Sequence, residues 1–321
     1  MREQEDIERV PAAGQALPTD LGPGTGAPPE PAATTDKVLT TRQLSWRRFK
    51  RHRLAIGSAV VLLILGLSAL LAPLLTPYTF AQQNLVERLQ SPSLTHYFGT
   101  DQLGRDLFTR VLYGGRISLL VGISVAITAG VVGGVVGALA GFYGGWIDNI
   151  LMRVTDLFLS IPFLVILIIA STFFGGSVLS IVGILSAFFW MPDARIVRGV
   201  FLSLKEKEFV EAARATGATN KRIMFNHMLP NAMGPIIVNA TLSVAAAILT
   251  ESALSFLGFG VQPPTPTWGN LLYQSRNFIT LAPWLVWFPG LAILITVLAV
   301  NFLGDGLRDA LDPHQKIGGV E

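Results

Sequence analysis

Cysteine is absent from this chain of 321 residues. That excludes a disulfide framework, a thiolate zinc site and a cysteine nucleophile. Charge is scarce: Asp, Glu, Lys and Arg make up 14%, against about 25% in a soluble domain. So little charge cannot cover a water-facing surface, so lipid must be the solvent for much of the chain. Histidine is also rare. His52, His96, His227 and His314 lie far apart and show no metal-ligand spacing. There is no H-E-x-x-H, no G-x-S-x-G and no G-x-x-x-x-G-K-S/T. Nothing is therefore present to carry metalloprotease or serine-esterase chemistry, or to cradle ATP on a P-loop.

What is present is apolar. Hydrophobic residues make up 51% and the mean hydropathy is +0.52. Residues 1–40 are the exception: rich in Pro, Ala, Gly and acids, they cannot bury enough apolar surface to offset their ordering entropy. They read as a disordered tail, either a solvated extension or a partner-binding arm. Residues 41–53 carry Arg42, Arg47, Arg48, Lys50, Arg51 and Arg53 around Trp46 and Phe49. That mixture suits a short helix at an anionic membrane face.

Crossing a bilayer takes about 20 apolar residues per helix. The runs at 54–75, Ser118–Phe142, Ile150–Phe173, Val178–Trp190, Pro235–Gly258 and Trp284–Leu303 meet or approach that length, the fourth ending at Met191-Pro192-Asp193. The expected fold class is therefore all-α integral membrane with six transmembrane helices. The core covers 118–303, flanked by outer segments at 76–117 and 259–283 and by a tail at 304–321. An even count puts both termini on one side, and the basic stretch before the first span makes that side cytoplasmic. The loop between spans four and five agrees, with Arg195, Arg198, Lys205, Lys207, Arg214, Lys221 and Arg222. All of the tryptophans fall at or near predicted span ends, where indoles prefer to sit. Glycines 130, 133, 134, 137 and 141 are spaced for close helix packing within the bundle.

The most informative segment is the cytoplasmic elbow, 205–230. Its acids lie early (Glu206, Glu208, Glu211) and Gly217 ends the run, the layout of a helix matched to its dipole and stopped by glycine. Thr219 or Asn220 can cap a second short helix, Lys221–Met228. Leu229-Pro230-Asn231 then reads as a turn back toward the membrane, with Pro230 at a helix start. Small residues Ala212, Ala213 and Ala215 would let the first helix lie close to another protein, or the elbow is an ordinary solvated loop helix.

Glu211-Ala212-Ala213, then Gly217 and Leu229-Pro230, resemble the EAA motif of bacterial ABC import permeases. His227 stands where that pattern has an aliphatic residue. A second resemblance narrows the group. Tyr97-Phe98-Gly99-Thr100-Asp101-Gln102-Leu103-Gly104-Arg105-Asp106 and Glu251–Pro264, followed by Trp268-Gly269, are similar to the C-type permease of dipeptide and oligopeptide importers. The likeness covers about residues 41–315. It implies a type I importer fold, a multi-pass place in the bacterial cytoplasmic membrane, and a coupling helix in the elbow. Glu208, Glu211, Ala212, Ala213, Gly217, Leu229 and Pro230 would be its ATPase-coupling positions. The implied partners are a second, different permease chain, two ATPase subunits and an extracytoplasmic binding protein, besides membrane lipid. No nucleic acid is expected. This chain would bind no cofactor or metal and catalyse nothing, ATP and Mg residing on the ATPases. Nickel and glutathione importers share the subgroup.

Thr100, Asp101, Arg105 and Asp106 suggest tight turns whose exposed charges would meet the binding protein, or a structural turn pinned by an Asp–Arg contact. Glu251, inside the fifth span, would line the translocation path or act as a hydrogen-bonded anchor. Arg153 and Asp156, three apart on one helix, would pair. Asn239 and Asn301 are further polar candidates. An ATP-independent secondary transporter is the rival class, and it would need an ion relay within the spans.

Overall fold

A computed structural model of the protein describes residues 41–311. The expected tail at 1–40 and the last ten positions lie outside the described residues. Helix α1 (Thr41–Arg51) carries Arg48, Lys50 and Arg51 in its last turn, where cations complement the helix dipole. His52 breaks the helix at φ −84° and ψ 89°, and its Nδ1 accepts the Ala55 N–H at 3.1 Å to cap α2 (Arg53–Leu70). The first apolar run is thus not one helix to Leu75. It stops at Leu71, and α3 (Ala72–Leu75) restarts with Pro73 in its first turn.

Helix α4 (Leu107–Tyr143) begins inside the segment expected to be extracytoplasmic, because Asp106 caps it by accepting the Thr109 N–H at 2.7 Å. Its 37 residues make a rod about 55 Å long, well beyond the ~30 Å hydrocarbon core. The expected third span is corrected. It is two helices, α5 (Gly145–Leu159) and α6 (Phe163–Phe174), bent by 84°. Pro162 cannot donate a backbone hydrogen bond and disfavours a helical conformation at the residue before it; here α5 ends at Leu159, capped at Ser160, and helix restarts at Phe163. The fourth span is corrected in the other direction. Helix α7 (Val178–Lys205) runs straight through Pro192, which lies in its interior.

Helix α8 (Glu208–Ala215) and the short α9 (Asn220–Arg222) form the elbow. A π-helical stretch, Ile223–Met228, leads into α10 (Leu229–Phe256). Helix α11 (Trp268–Ser275) lies in the second outer loop. Helix α12 (Trp284–Leu311) continues into the segment expected to be a tail. Among the described residues, five helices are long and apolar enough to cross a membrane, or six if the bent α5–α6 pair is one span.

Helix α4 is the spine: it packs on α7, α10, α2 and α5. One apolar cluster (Leu107, Trp268, Leu271, Leu285) sits at its N-terminal end. A second (Phe142, Phe201, Val210, Met228) sits at its C-terminal end beneath the elbow. A third (Val125, Leu185, Ala247, Leu254) fills the middle. The glycines of α4 divide into two faces. Gly133, Gly137 and Gly141 face α7 so closely that an added methyl group would lie under 3.0 Å from Trp190, Ala194 and Arg198 backbone atoms. Gly130 and Gly134 face elsewhere, and a methyl group on Gly134 would meet nothing within 4 Å.

Candidate functional site

The elbow is built by local sequence chemistry. Lys207 precedes α8 in an extended conformation, with Glu208 and Glu211 in the first turn and Arg214 in the last. Gly217 takes φ +77°, a conformation L side chains rarely adopt. From there its N–H donates to Arg214 O at 2.9 Å, and Ala218 N–H donates to Ala213 O at 3.0 Å. These are the two bonds of a Schellman stop. Thr219 Oγ1 then accepts the Arg222 N–H, capping α9.

The faces of α8 are distinct. Val210 and Ala213 are buried in the cluster with Phe142, Phe201, Ile223, Met224 and Met228. Glu208, Glu211, Ala212 and Ala215 are exposed, and their spacing puts them in one stripe along the helix. This corrects the expectation for Ala213. Its methyl group packs inward and holds the elbow to its own chain, while Ala212 and Ala215 provide the low surface beyond the two acids.

Leu229-Pro230 is also corrected: it is no turn. In a regular helix the ring of Pro230 would meet the carbonyl four residues back. The π-helical stretch widens the pairing so that Leu229 N–H reaches Met224 O, and the helix passes through. The second helix of the elbow, α9, therefore runs into α10 as continuous helix. Two ion pairs fix α7 to α5. Arg198 grips Asp148 with two bonds, at 2.5 and 2.6 Å. Asp156 pairs with Arg195 and not, as its spacing suggested, with Arg153.

At the opposite end of α4, Thr100, Asp101, Arg105 and Asp106 are buried, each 5% exposed or less. The expectation of exposed charges is corrected in favour of the pinned turn. Asp101 Oδ2 accepts from Arg105 Nε at 2.6 Å and from an Arg110 guanidinium nitrogen at 2.7 Å. Asp106 accepts the α4 cap bond and also meets His96 Nδ1 at 2.8 Å. Gly104, at φ +67°, tolerates no side chain: one would strike the Asn84 carbonyl. These residues shape the outer segment from within, because each of their charges has a partner in this chain.

Glu251 is fully buried. Ser255 Oγ donates to one carboxyl oxygen at 2.7 Å, the other oxygen is buried without a hydrogen-bond partner among the described residues, and the hydroxyls of Ser118, Ser252 and Thr267 lie nearby. These groups belong to α4, α10 and the cap of α11, so the geometry is that of an anchor rather than of a path-lining residue. The acid at the expected end of the fourth span lies inside a helix. Asp193 lies within α7, 4% exposed, and accepts from Asn239 Nδ2 of α10 at 2.7 Å. The clue was present in Asp193 and Asn239, two polar residues on adjacent apolar segments, but Pro192 hid it.

The family described as binding-protein-dependent transport system inner membrane component matches residues 133–317. The N-terminal transmembrane domain of oligopeptide transport permease C matches residues 40–92. The dipeptide transport system permease protein DppC of Alkalihalophilus pseudofirmus is 44% identical over 292 residues, 90% of this chain and 96% of that protein. The oligopeptide transport system permease protein OppC of Escherichia coli K12 is 46% identical over 272 residues, 84% of this chain and 90% of that protein. The glutathione transport system permease protein GsiD of Escherichia coli O6:K15:H31 is 40% identical, covering 89% of this chain and 95% of that protein. In fold, the chain is similar to an inward-facing structure of the MetNI methionine ABC transporter. The TM-score is 0.56 at 21% identity, over 64% of this chain and 98% of that one. The chain therefore belongs to the family of binding-protein-dependent transport system inner membrane components.

Proposed function

We propose that this chain is a permease subunit of an ATP-driven importer of short peptides, with the elbow as the point where force enters. The observation that carries the coupling role is the exposed Glu208–Glu211–Ala212–Ala215 stripe, held rigidly by the Schellman stop and by the buried Val210 and Ala213. Two exposed alanines following two acids leave a shallow strip that a cleft in an ATPase subunit can enclose. Because α8 packs through Val210 and Ala213 on the π-helical stretch, and that stretch continues unbroken into α10, a displacement of α8 is passed to a spanning helix through this packed contact. ATP shifts the equilibrium only if the docked elbow makes different contacts in the inward- and outward-open states. ATP and Mg belong to the ATPase. The basic residues near the elbow and in α1 favour placing both on the cytoplasmic side of a bacterial inner membrane. Peptide as substrate rests on DppC and OppC, and glutathione is itself a short peptide. An extracytoplasmic binding protein delivers the substrate.

The second permease is expected on the other face of α4. Ala126, Gly130, Gly134 and Ala138 recur every four residues and, with Met233 and Ile237 of α10, line an apolar groove of about 400 Å³. Small residues on one face let a helix of another chain approach closely.

The test is co-purification from mild detergent. Wild type should bring down an ATPase chain, and Ala212→Arg and Glu211→Lys should reduce its recovery by at least about tenfold, a loss of ~1.4 kcal/mol of docking energy. Neither side chain is buried, so the variants should remain folded. Folded wild type that comes down alone, and that moves substrate in liposomes without ATP, would mean a secondary transporter instead.

A further inference from the structure

We propose that the groove between α1 and α2 is a binding site for one anionic phospholipid, its acyl chain lying along α2 and its headgroup phosphate on Lys50 and Arg53. The groove encloses about 310 Å³, within the range of ligand clefts, about 300–1,000 Å³. Trp46 and Phe49 of α1 form one wall, and Ile56, Val60 and Leu63 of α2 form the other. Trp46, Val60 and Leu63 are each about half exposed or more, so this chain leaves the wall uncovered. An acyl chain covers such a wall without desolvating any polar group.

Charge decides which lipid. Lys50 lines the groove, its Nζ 5.2 Å from the Trp46 ring centroid. Arg53 precedes Ile56 and Val60 by three and seven residues, which sets it on the same helix face at the groove's polar end. Among the described residues neither cation is paired with a carboxylate. A phosphodiester with no balancing cation satisfies both, whereas a choline headgroup brings its own positive charge.

The site is built and not merely a helix face. His52 sets the angle between the helices. Its Nδ1 caps α2, and its Nε2 lies 3.6 Å from Asp309 of α12. Trp46 and Phe49 stack, with ring centroids 6.0 Å apart. The inference requires only that the chain lies in a bilayer, not that any particular substrate crosses it. Its failure would leave the importer reading intact.

The test uses the full chain in nanodiscs containing lipids with brominated acyl chains, which quench nearby tryptophan. The contribution of Trp46 is the difference between wild type and Trp46→Phe. Brominated phosphatidylglycerol should outcompete brominated phosphatidylcholine at Trp46 by roughly 30-fold, the product of two cations at an anionic surface, and in Lys50→Gln/Arg53→Gln by less than about threefold. Both glutamines keep apolar stems, so the fold should hold. Equal quenching by the two lipids in wild type overturns the proposal, whatever the variants do. So does a preference that survives in the double variant. Quenching by neither lipid would mean that protein fills the groove, and would also overturn it.

Discussion

Asp101→Ala is expected to cost about 3–5 kcal/mol of stability, the penalty for leaving buried charge without its partner. Asp101 holds four donors: Arg105 Nε, Arg110, and the backbone N–H groups of Leu103 and Arg105, the last two at 2.8 and 3.0 Å. Arg110 is fully buried. Both arginines also donate to Gln274 Oε1, at 2.7 and 3.4 Å, so without the carboxylate two cations share one neutral acceptor. Gln274 lies on α11, and the cluster therefore ties the first outer segment to the second. Thermal unfolding of the purified protein in detergent should show the loss. Arg105→Gln, which leaves Arg110 paired with Asp101, should cost no more than about 1–3 kcal/mol, as for a hydrogen bond to a charged group. A loss below ~1 kcal/mol for Asp101→Ala would mean that water reaches and solvates the arginines, contrary to their burial.

The second large effect concerns the spine. Gly137→Leu should destabilise by about 3 kcal/mol, the upper end for forcing atoms into a packed core. A Cβ at that position would lie 2.4 Å from Ala194 O and 2.9 Å from Arg198 N. These are backbone atoms of α7 and cannot rotate away, so the two helices must part. Arg198 is also the partner of Asp148, and separation would strain that pair. Gly134→Ala provides the control on the same helix, because nothing lies within 4 Å of the added methyl group. It should gain up to ~1 kcal/mol from helix propensity in the isolated chain. Comparable losses for both variants in thermal unfolding would refute the division of α4 into a packed face and an open face.

Much of this was legible beforehand because it depends on neighbours in the chain. Apolar runs long enough to span are a property of local composition. Gly217 had to end α8, since a left-handed stop there suits only a residue without Cβ. Thr219 is a cap by its own hydroxyl. The prolines were the weak point. Pro192 reads as an end and Pro162 as nothing special, yet the first is tolerated inside α7 and the second bends a span. A proline's missing hydrogen bond has a similar local cost at both places, and packing against other elements decides whether the helix continues. Pro230 passes only because the preceding stretch is π-helical.

The sequence alone determined that the chain is helical and membrane-embedded, that it has a charged elbow stopped at Gly217, and that its motifs resemble those of import permeases. Tertiary structure decided which side of each helix is used. Ala212 and Ala213 are identical residues one position apart, but a helix turns about 100° between them, so one faces out and the other packs into the apolar cluster beneath the elbow. Asp101, Arg105 and Asp106 read equally as exposed charges or as a pinned turn, and only Arg110, Gln274 and His96, closing around them, select the second. Glu251 reads from sequence as a path residue or an anchor, and its complete burial beside Ser255 is the geometry of the anchor. Burial and partnership arise between residues far apart in the chain, and only the folded chain brings them together.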